Sequence, residues 1–138
     1  MMKRIEGSVA IYTAEPWTAA GAIVLLVSPD PDLRAVATRV LARQGYVVLT
    51  AAHAGHALLA GLTLDRIDIL ISEIALDDMT GPVLADRLRR NHGGLRSLFM
   101  ADAGATREDR LLVRPFTRDD LLVELGALCS SATSPPTS

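Results

Sequence analysis

The stretch Ile67-Asp68-Ile69-Leu70-Ile71-Ser72-Glu73 decides how this chain folds. Four of its seven residues are aliphatic, and they lead to a carboxylate. An apolar run this short, bounded by polar residues, reads as a strand buried inside a parallel sheet. A carboxylate at the carboxyl end of such a strand stands where open α/β folds place their ligands and chemistry.

Outward from this stretch the same rhythm repeats. Upstream, residues 22–27 form a continuous aliphatic run, the first core strand. Ser28-Pro29-Asp30-Pro31-Asp32 ends that strand and starts a helix, since Asp and Pro suit a first turn. Leu33, Val36, Ala37, Val40 and Leu41 follow at helical spacing, and Gly45 is a stop signal. Residues 46–50 read as a second strand and 53–62 as a short Ala-rich helix. Downstream, Pro82 opens a helix with a basic end at Arg89-Arg90-Asn91-His92, which Gly93-Gly94 breaks. Residues 95–101 and 111–113 are the fourth and fifth strands. Thr117 is the N-cap of a last helix, with Leu121, Leu122, Leu125, Leu128 and Cys129 on its apolar face.

Strands alternating with helices imply an α/β fold, a parallel sheet with helices on both faces. Two topologies compete, a flavodoxin-like order 2-1-3-4-5 and half of a dinucleotide-binding fold. The loop after the first strand separates them. A phosphate cradle needs a Gly-rich turn whose backbone can approach the anion. This loop has two prolines, two aspartates and no glycine. Proline removes amide donors and aspartate repels phosphate, so a nucleotide or flavin phosphate is not expected there.

The totals agree. The chain has 138 residues, 49% hydrophobic but only 4% aromatic, so one domain with an aliphatic core is expected. Its net charge of −2 gives no general attraction to nucleic acid or acidic membranes. The lone Cys129 excludes an internal disulfide or a Cys-based zinc site, and it is expected to be a buried structural thiol. No apolar run spans a membrane and residues 1–22 lack a signal-peptide pattern, so a cytoplasmic protein is expected. Residues 1–21 read as an extension or linker, with a short strand at 8–13 and Trp17 packing back on the domain or anchoring a partner. The core domain is expected over 22–129, and residues 130–138, rich in Ser, Thr and Pro, as a disordered tail.

From Val24 to about Leu128 the landmarks resemble the receiver domain of two-component response regulators. Val24-Leu25-Leu26-Val27 precedes the acidic loop. Gly45-Tyr46-Val47-Val48 matches the family's Gly-Tyr-x-Val, and Asp68-Ile69-Leu70-Ile71-Ser72-Glu73 matches its third strand. Met79-Thr80-Gly81 matches its Met-Asp-Gly loop, and Leu112-Val113-Arg114-Pro115-Phe116 its Leu-Val-Lys-Pro-Phe. The resemblance implies a flavodoxin-like three-layer sandwich with a five-stranded parallel sheet in the order 2-1-3-4-5. It also implies a cis Arg114–Pro115 bond.

The family phosphorylates an Asp with the help of Mg²⁺ held by acidic residues after the first strand. A Ser/Thr after the fourth strand and a Lys after the fifth bind phosphoryl oxygens. A carboxylate attacks a phosphoryl group only when metal and cations offset the repulsion. Position by position, this chain departs from that set. Glu73 stands at the phosphoacceptor position, one methylene longer than Asp. Ser28, Pro29 and Asp30 are a degenerate acidic pocket with one carboxylate. The hydroxyl position falls on Asp102, or on Ala101 if the register slips. The lysine position is Arg114, and the only lysine in the chain is Lys3. The connection between the fourth and fifth strands, residues 103–110, has half the usual length. Eight extended residues span about 26 Å, so the family's fourth helix is expected to be missing or reduced to one turn near 106–109.

The resemblance therefore implies a degenerate receiver in bacterial signalling, with no catalytic residues, no resident metal and at most weak Mg²⁺ binding. It is expected to act on a protein partner, a histidine kinase or an effector, or as a homodimer, with no nucleic acid and no membrane. It would stand alone or be part of a larger regulator or hybrid kinase. A pseudo-receiver sensing an anionic small molecule or cyclic dinucleotide through Arg110, Arg114 and Arg118 is the alternative, ahead of a conventional phosphoacceptor. Glu73 is then either a built-in mimic of the phosphorylated state, paired with Arg114, or a relic in a salt bridge. Asp30, Asp32, Asp77 and Asp78 read as capping and solvated loop residues. His53 and His56 are three apart on a helix but have no further ligand pattern. Arg87, Arg89, Arg90 and Arg96 read as a solvated helix end.

Overall fold

The computed structural model describes residues 21–102 and 111–133. The first aliphatic run is β1 (Ile23–Val27), followed by α1 (Pro31–Arg43), β2 (Val47–Ala51) and α2 (Ala54–Thr63). The stretch quoted first becomes β3 (Ile69–Glu73), followed by α3 (Gly81–Arg89) and β4 (Arg96–Ala101). Then come β5 (Leu111–Val113) and α4 (Arg118–Thr133). The strands form one parallel sheet in the order β2-β1-β3-β4-β5, the flavodoxin-like order expected.

Strand alternation sorts the core into two halves, because successive side chains point to opposite faces. Val24, Leu26, Ile69, Ile71, Leu98 and Met100 face one way, against Ala37 and Leu41 of α1 and Leu121, Leu125 and Leu128 of α4. Leu25, Val27, Leu70, Phe99 and Ala101 face the other, against Ala54 and Ala57 of α2 and Leu84, Ala85 and Leu88 of α3. Every residue of β3 is buried, as a central parallel strand requires.

The helix ends follow from local chemistry. Asp30 caps α1, its Oδ1 accepting the amides of Asp32 and Leu33 at 2.9 and 3.3 Å, with Pro31 at the first helical position. The helix closes when Gly45 takes φ 93°. Its amide then donates to the Ala42 carbonyl at 3.1 Å, and that of Tyr46 to the Leu41 carbonyl at 3.2 Å. Thr80 caps α3 by accepting the Val83 amide. Thr117 and Asp120 cap α4 reciprocally: Thr117 Oγ1 accepts the Asp120 amide at 3.0 Å, and Asp120 Oδ2 accepts the Thr117 amide at 2.9 Å.

Several boundaries differ from the sequence reading by one or two residues, because register and caps set them rather than hydrophobicity alone. Ile67 is buried yet precedes β3. The larger correction is at the end: α4 continues through Thr133, into the stretch expected to be a tail. Ser and Thr extend a packed helix at small cost, and the first residue that cannot continue it is Pro135. The expected strand at 8–13, Trp17, the shortened connection at 103–110 with its reduced helix, and residues 134–138 lie outside the described residues.

Candidate functional site

The register carries the ends of four strands to one place. Val27 pairs with Ser72, Glu73 with Met100 and Ala101 with Val113. The residues just past β1, β4 and β5 are Ser28, Asp102 and Arg114, beside Glu73 at the end of β3. The Arg114–Pro115 bond is cis, as the resemblance implied.

Glu73 is 8% exposed and both its carboxylate oxygens are engaged. Oε2 accepts the hydroxyl of Ser28 at 2.9 Å. Oε1 accepts Nη2 of Arg114 in a charge-assisted hydrogen bond. The other arm of the guanidinium, Nη1, lies 3.8 Å from Oδ1 of Asp102. Of the two residues considered for the hydroxyl position, Asp102 is the one that faces Arg114, while Ala101 is buried in the core at 2% exposure. Asp102 has a side chain 90% exposed, so its pairing with Arg114 is screened and weak.

Ser28 has its own supports. Its Oγ accepts the Asp30 amide at 3.1 Å, and its carbonyl accepts Nη1 of Arg34 at 2.6 Å. Pro29 is exposed and contributes no donor. From below, the start of α3 presses on the end of β3: the Gly81 amide donates to the Ile74 carbonyl at 2.8 Å. A Cβ at Gly81 would lie 2.6 Å from the Glu73 carbonyl oxygen and 2.8 Å from the Phe99 ring, so the glycine of Met79-Thr80-Gly81 is a packing requirement.

A model of the response regulator receiver domain matches residues 24–123. The chain belongs to the response regulator receiver domain family. Among curated relatives, it is 33% identical over 81 residues to the sensor kinase CckA of Brucella abortus, covering 58% of this chain and 9% of that protein. It is 28% identical over 117 residues to the transcriptional regulatory protein TcrA of Mycobacterium tuberculosis, covering 78% of this chain and 46% of that protein. The chain thus spans less than half the length of either relative. Among solved structures, chemotaxis protein CheY4 of Vibrio cholerae superposes with a TM-score of 0.70 at 26% identity, over 79% of this chain and 99% of that one. The receiver domain of the hybrid histidine kinase CckA gives 0.69 at 28% identity, over 78% and 99%.

The receiver family implies Mg²⁺ at this edge, a hard cation that needs several oxygen ligands, usually with more than one carboxylate. The donors present do not fit it. The Ser28 hydroxyl is spent on Glu73, Pro29 offers nothing, the Asp30 carboxylate caps α1, and Glu73 is paired with Arg114. Among the described residues no group of three or more His, Cys, Asp or Glu is placed to hold a metal. The rings of His53 and His56 stack with centroids 5.2 Å apart, and Nδ1 of His53 accepts the His56 amide, capping α2. Arg118 pairs with Asp119 at 3.8 Å on α4, and Arg110 lies outside the described residues. Among the described residues no helix is long and apolar enough to cross a membrane.

The sequence reading missed the roles of Asp68, Arg89 and Arg34, and it read Asp78 as a capping or loop residue without naming the helix that it caps. Asp68 is buried, accepting the Ile23 amide at 2.8 Å and Nε of Arg66 at 3.1 Å, which ties β3 to β1. Asp78 reaches from the β3–α3 loop to the start of α2 and accepts the Gly55 and Ala54 amides at 2.9 and 3.3 Å. The Gly55 amide holds its carboxyl below the ordinary carboxylate range. Arg89, read as a solvated helix end, turns inward to Ser97 Oγ at 2.9 Å and the Leu95 carbonyl at 3.4 Å. Arg34 holds the Ser28 carbonyl, as described above.

Proposed function

We propose that this receiver signals without being phosphorylated, as a protein-interaction module for a histidine kinase, a downstream effector or a second copy of itself. The observation behind this reading is the buried Glu73 carboxylate, held by Ser28 and Arg114 at the phosphoacceptor position. The extra methylene carries its carboxylate toward the place a phosphoryl group would take. The cation that would meet phosphoryl oxygens is already paired with it. Asp102 adds a second negative charge beside Arg114, where the family offers a hydroxyl. An incoming phosphoryl donor meets two carboxylates and an Arg114 that is already paired, and that repulsion is what metal and Lys normally offset. The chain is accordingly not an enzyme toward its own phosphorylation, carries no cofactor, and works where cytoplasmic kinases and effectors reside. A small anion sensed at Arg114 has less support, since it would have to displace Glu73.

The test is incubation with acetyl phosphate and Mg²⁺, followed by intact-mass measurement beside a conventional receiver. The expected result is an unchanged mass for this chain and a phosphoryl adduct for the control. A stoichiometric, acid-stable and base-labile phosphoryl adduct would overturn the reading.

A further inference from the structure

On the face of the sheet away from α2 and α3, α1 and α4 leave a groove of about 380 Å³ between them. That volume lies within the roughly 300–1,000 Å³ of small-ligand pockets. Val36, Val40 and Leu122 give it an apolar floor, and Val36 is 52% exposed. Arg39, Arg43 and Gln44 line its rim. Among the described residues neither Arg39 nor Arg43 has an ion-pair partner. On the opposite wall Arg118 and Asp119 pair with each other, so the groove keeps a net positive rim.

We propose that the groove is occupied by this chain's own residues 15–17, Glu15-Pro16-Trp17, with the indole on Val36, Val40 and Leu122 and Glu15 facing Arg39 and Arg43. The place where the described chain starts supports this occupant. The Gly21 amide donates to the Gly45 carbonyl at 2.9 Å, and Gly45 directly follows Gln44 on the groove rim. The chain therefore enters the domain beside the groove's end. Trp17 is four residues before Gly21, within reach of about 13 Å of extended chain. Val40 is four residues before Gln44, about 6 Å along the axis of α1. Charge agrees as well: between Ile5 and Ala20 the segment has two acidic residues, Glu6 and Glu15, and no basic one. A tryptophan contributes more apolar contact than any other side chain, with its N–H left at the wet rim. The groove and the Glu73 site are separate, so this inference stands or falls independently of the phosphorylation reading.

Trp17 is the only tryptophan, so intrinsic fluorescence of the full chain reports on it alone. The expected result is emission blue-shifted from that of the urea-unfolded chain, with acrylamide quenching several-fold weaker. Val36→Glu places a carboxylate in the groove at a half-exposed position, where folding survives. It should shift emission to the red and restore quenching, while Leu62→Glu on α2, where Leu62 is 72% exposed, should change neither. Circular dichroism checks that both variants fold. Wild-type emission equal to that of the unfolded chain overturns the proposal. So does a blue shift that survives Val36→Glu. A blue shift lost on dilution also overturns it, because Trp17 would then sit on a second copy.

Discussion

Removing Arg114 should cost more than removing the charge it neutralises. The Glu73 side chain is 11% exposed and that of Arg114 35%. Truncating one partner of a fully buried ion pair costs about 3–5 kcal/mol, because the other charge is left without compensation. A fully exposed pair is worth about 0.2–1 kcal/mol. Water reaches Arg114 but hardly reaches Glu73, so Arg114→Ala is expected to cost about 1.5–3 kcal/mol, the range of a hydrogen bond to a charged group. At about 4 °C per kcal/mol for a domain of this size, Tm falls by about 6–12 °C. Glu73→Gln keeps the shape and an acceptor for the Ser28 hydroxyl, and should cost less than about 1 kcal/mol. In the double variant Glu73→Gln/Arg114→Ala there is no buried charge to strand. Its loss should fall short of the summed single losses by about 1–2 kcal/mol. Urea unfolding of the four proteins measures this directly, at constant m-value. An Arg114→Ala variant within about 0.5 kcal/mol of the parent, or single losses that simply add, would refute the pair as a stabilising contact.

Gly81→Ala should destabilise the domain by about 1–3 kcal/mol, because the new methyl group meets the Glu73 carbonyl and the Phe99 ring and overpacks the junction. A thermal melt equal to the parent's would contradict that close approach. Asp78 gives a pH test. Its hydrogen bond from the Gly55 amide favours the charged form, so its folded pKa lies below the unfolded one. The unfolded chain then binds its proton first, and this contribution, present above the unfolded value near about 4, is lost as pH falls through the folded pKa. Asp78→Asn should lower the urea midpoint at neutral pH and flatten its decline in acid. Parallel pH profiles for parent and variant would remove Asp78 from the account.

The central strands were legible because their reading needs no partner. An aliphatic run such as Val24-Leu25-Leu26-Val27 has one comfortable place in an α/β sheet, and the proline-rich acidic loop after it excludes a phosphate cradle. The caps at Asp30, Gly45 and Thr117 were legible for the same reason, being written within a few residues of their helix. Long-range polar contacts were not. Nothing near Asp68 predicts that it will take an amide from β1, and nothing near Asp78 predicts that it will take the Gly55 amide at the start of α2. The site lies between these cases. Glu73 and Arg114 are 41 positions apart and belong to strands separated by β4, yet their meeting was readable through the receiver resemblance, which implies that both positions share one edge of the sheet. The C-terminal boundary was placed too early because composition is a weak guide to helix length: the last turns of α4 are polar, yet the helix runs through Thr133.

Glu73 and Arg114 make physical sense as a joint departure from the receiver pattern. A lysine ammonium is a point charge on a mobile stem, suited to meeting a phosphoryl group that comes and goes. A guanidinium is a fixed fork, suited to a partner that stays. With Glu in place of Asp, the carboxylate reaches the cation without an intervening phosphoryl group, and Arg then holds it. The remaining changes follow once the pair exists. Ser28 donates to Glu73, and Asp30 caps α1. Asp102 gains a reason to be acidic, since the second arm of Arg114 points toward it. On the phosphorylation-independent function proposed above, Glu73→Asp alone is expected not to restore labelling by acetyl phosphate, and a phosphoryl adduct on that variant would refute it. The substitution would leave Arg114 facing Asp102, a cap occupying the one acidic-pocket carboxylate, and no hydroxyl at the end of β4. The contacts of Ser28, Glu73, Asp102 and Arg114 join four strand ends, so on that proposal a single substitution leaves the other three in place.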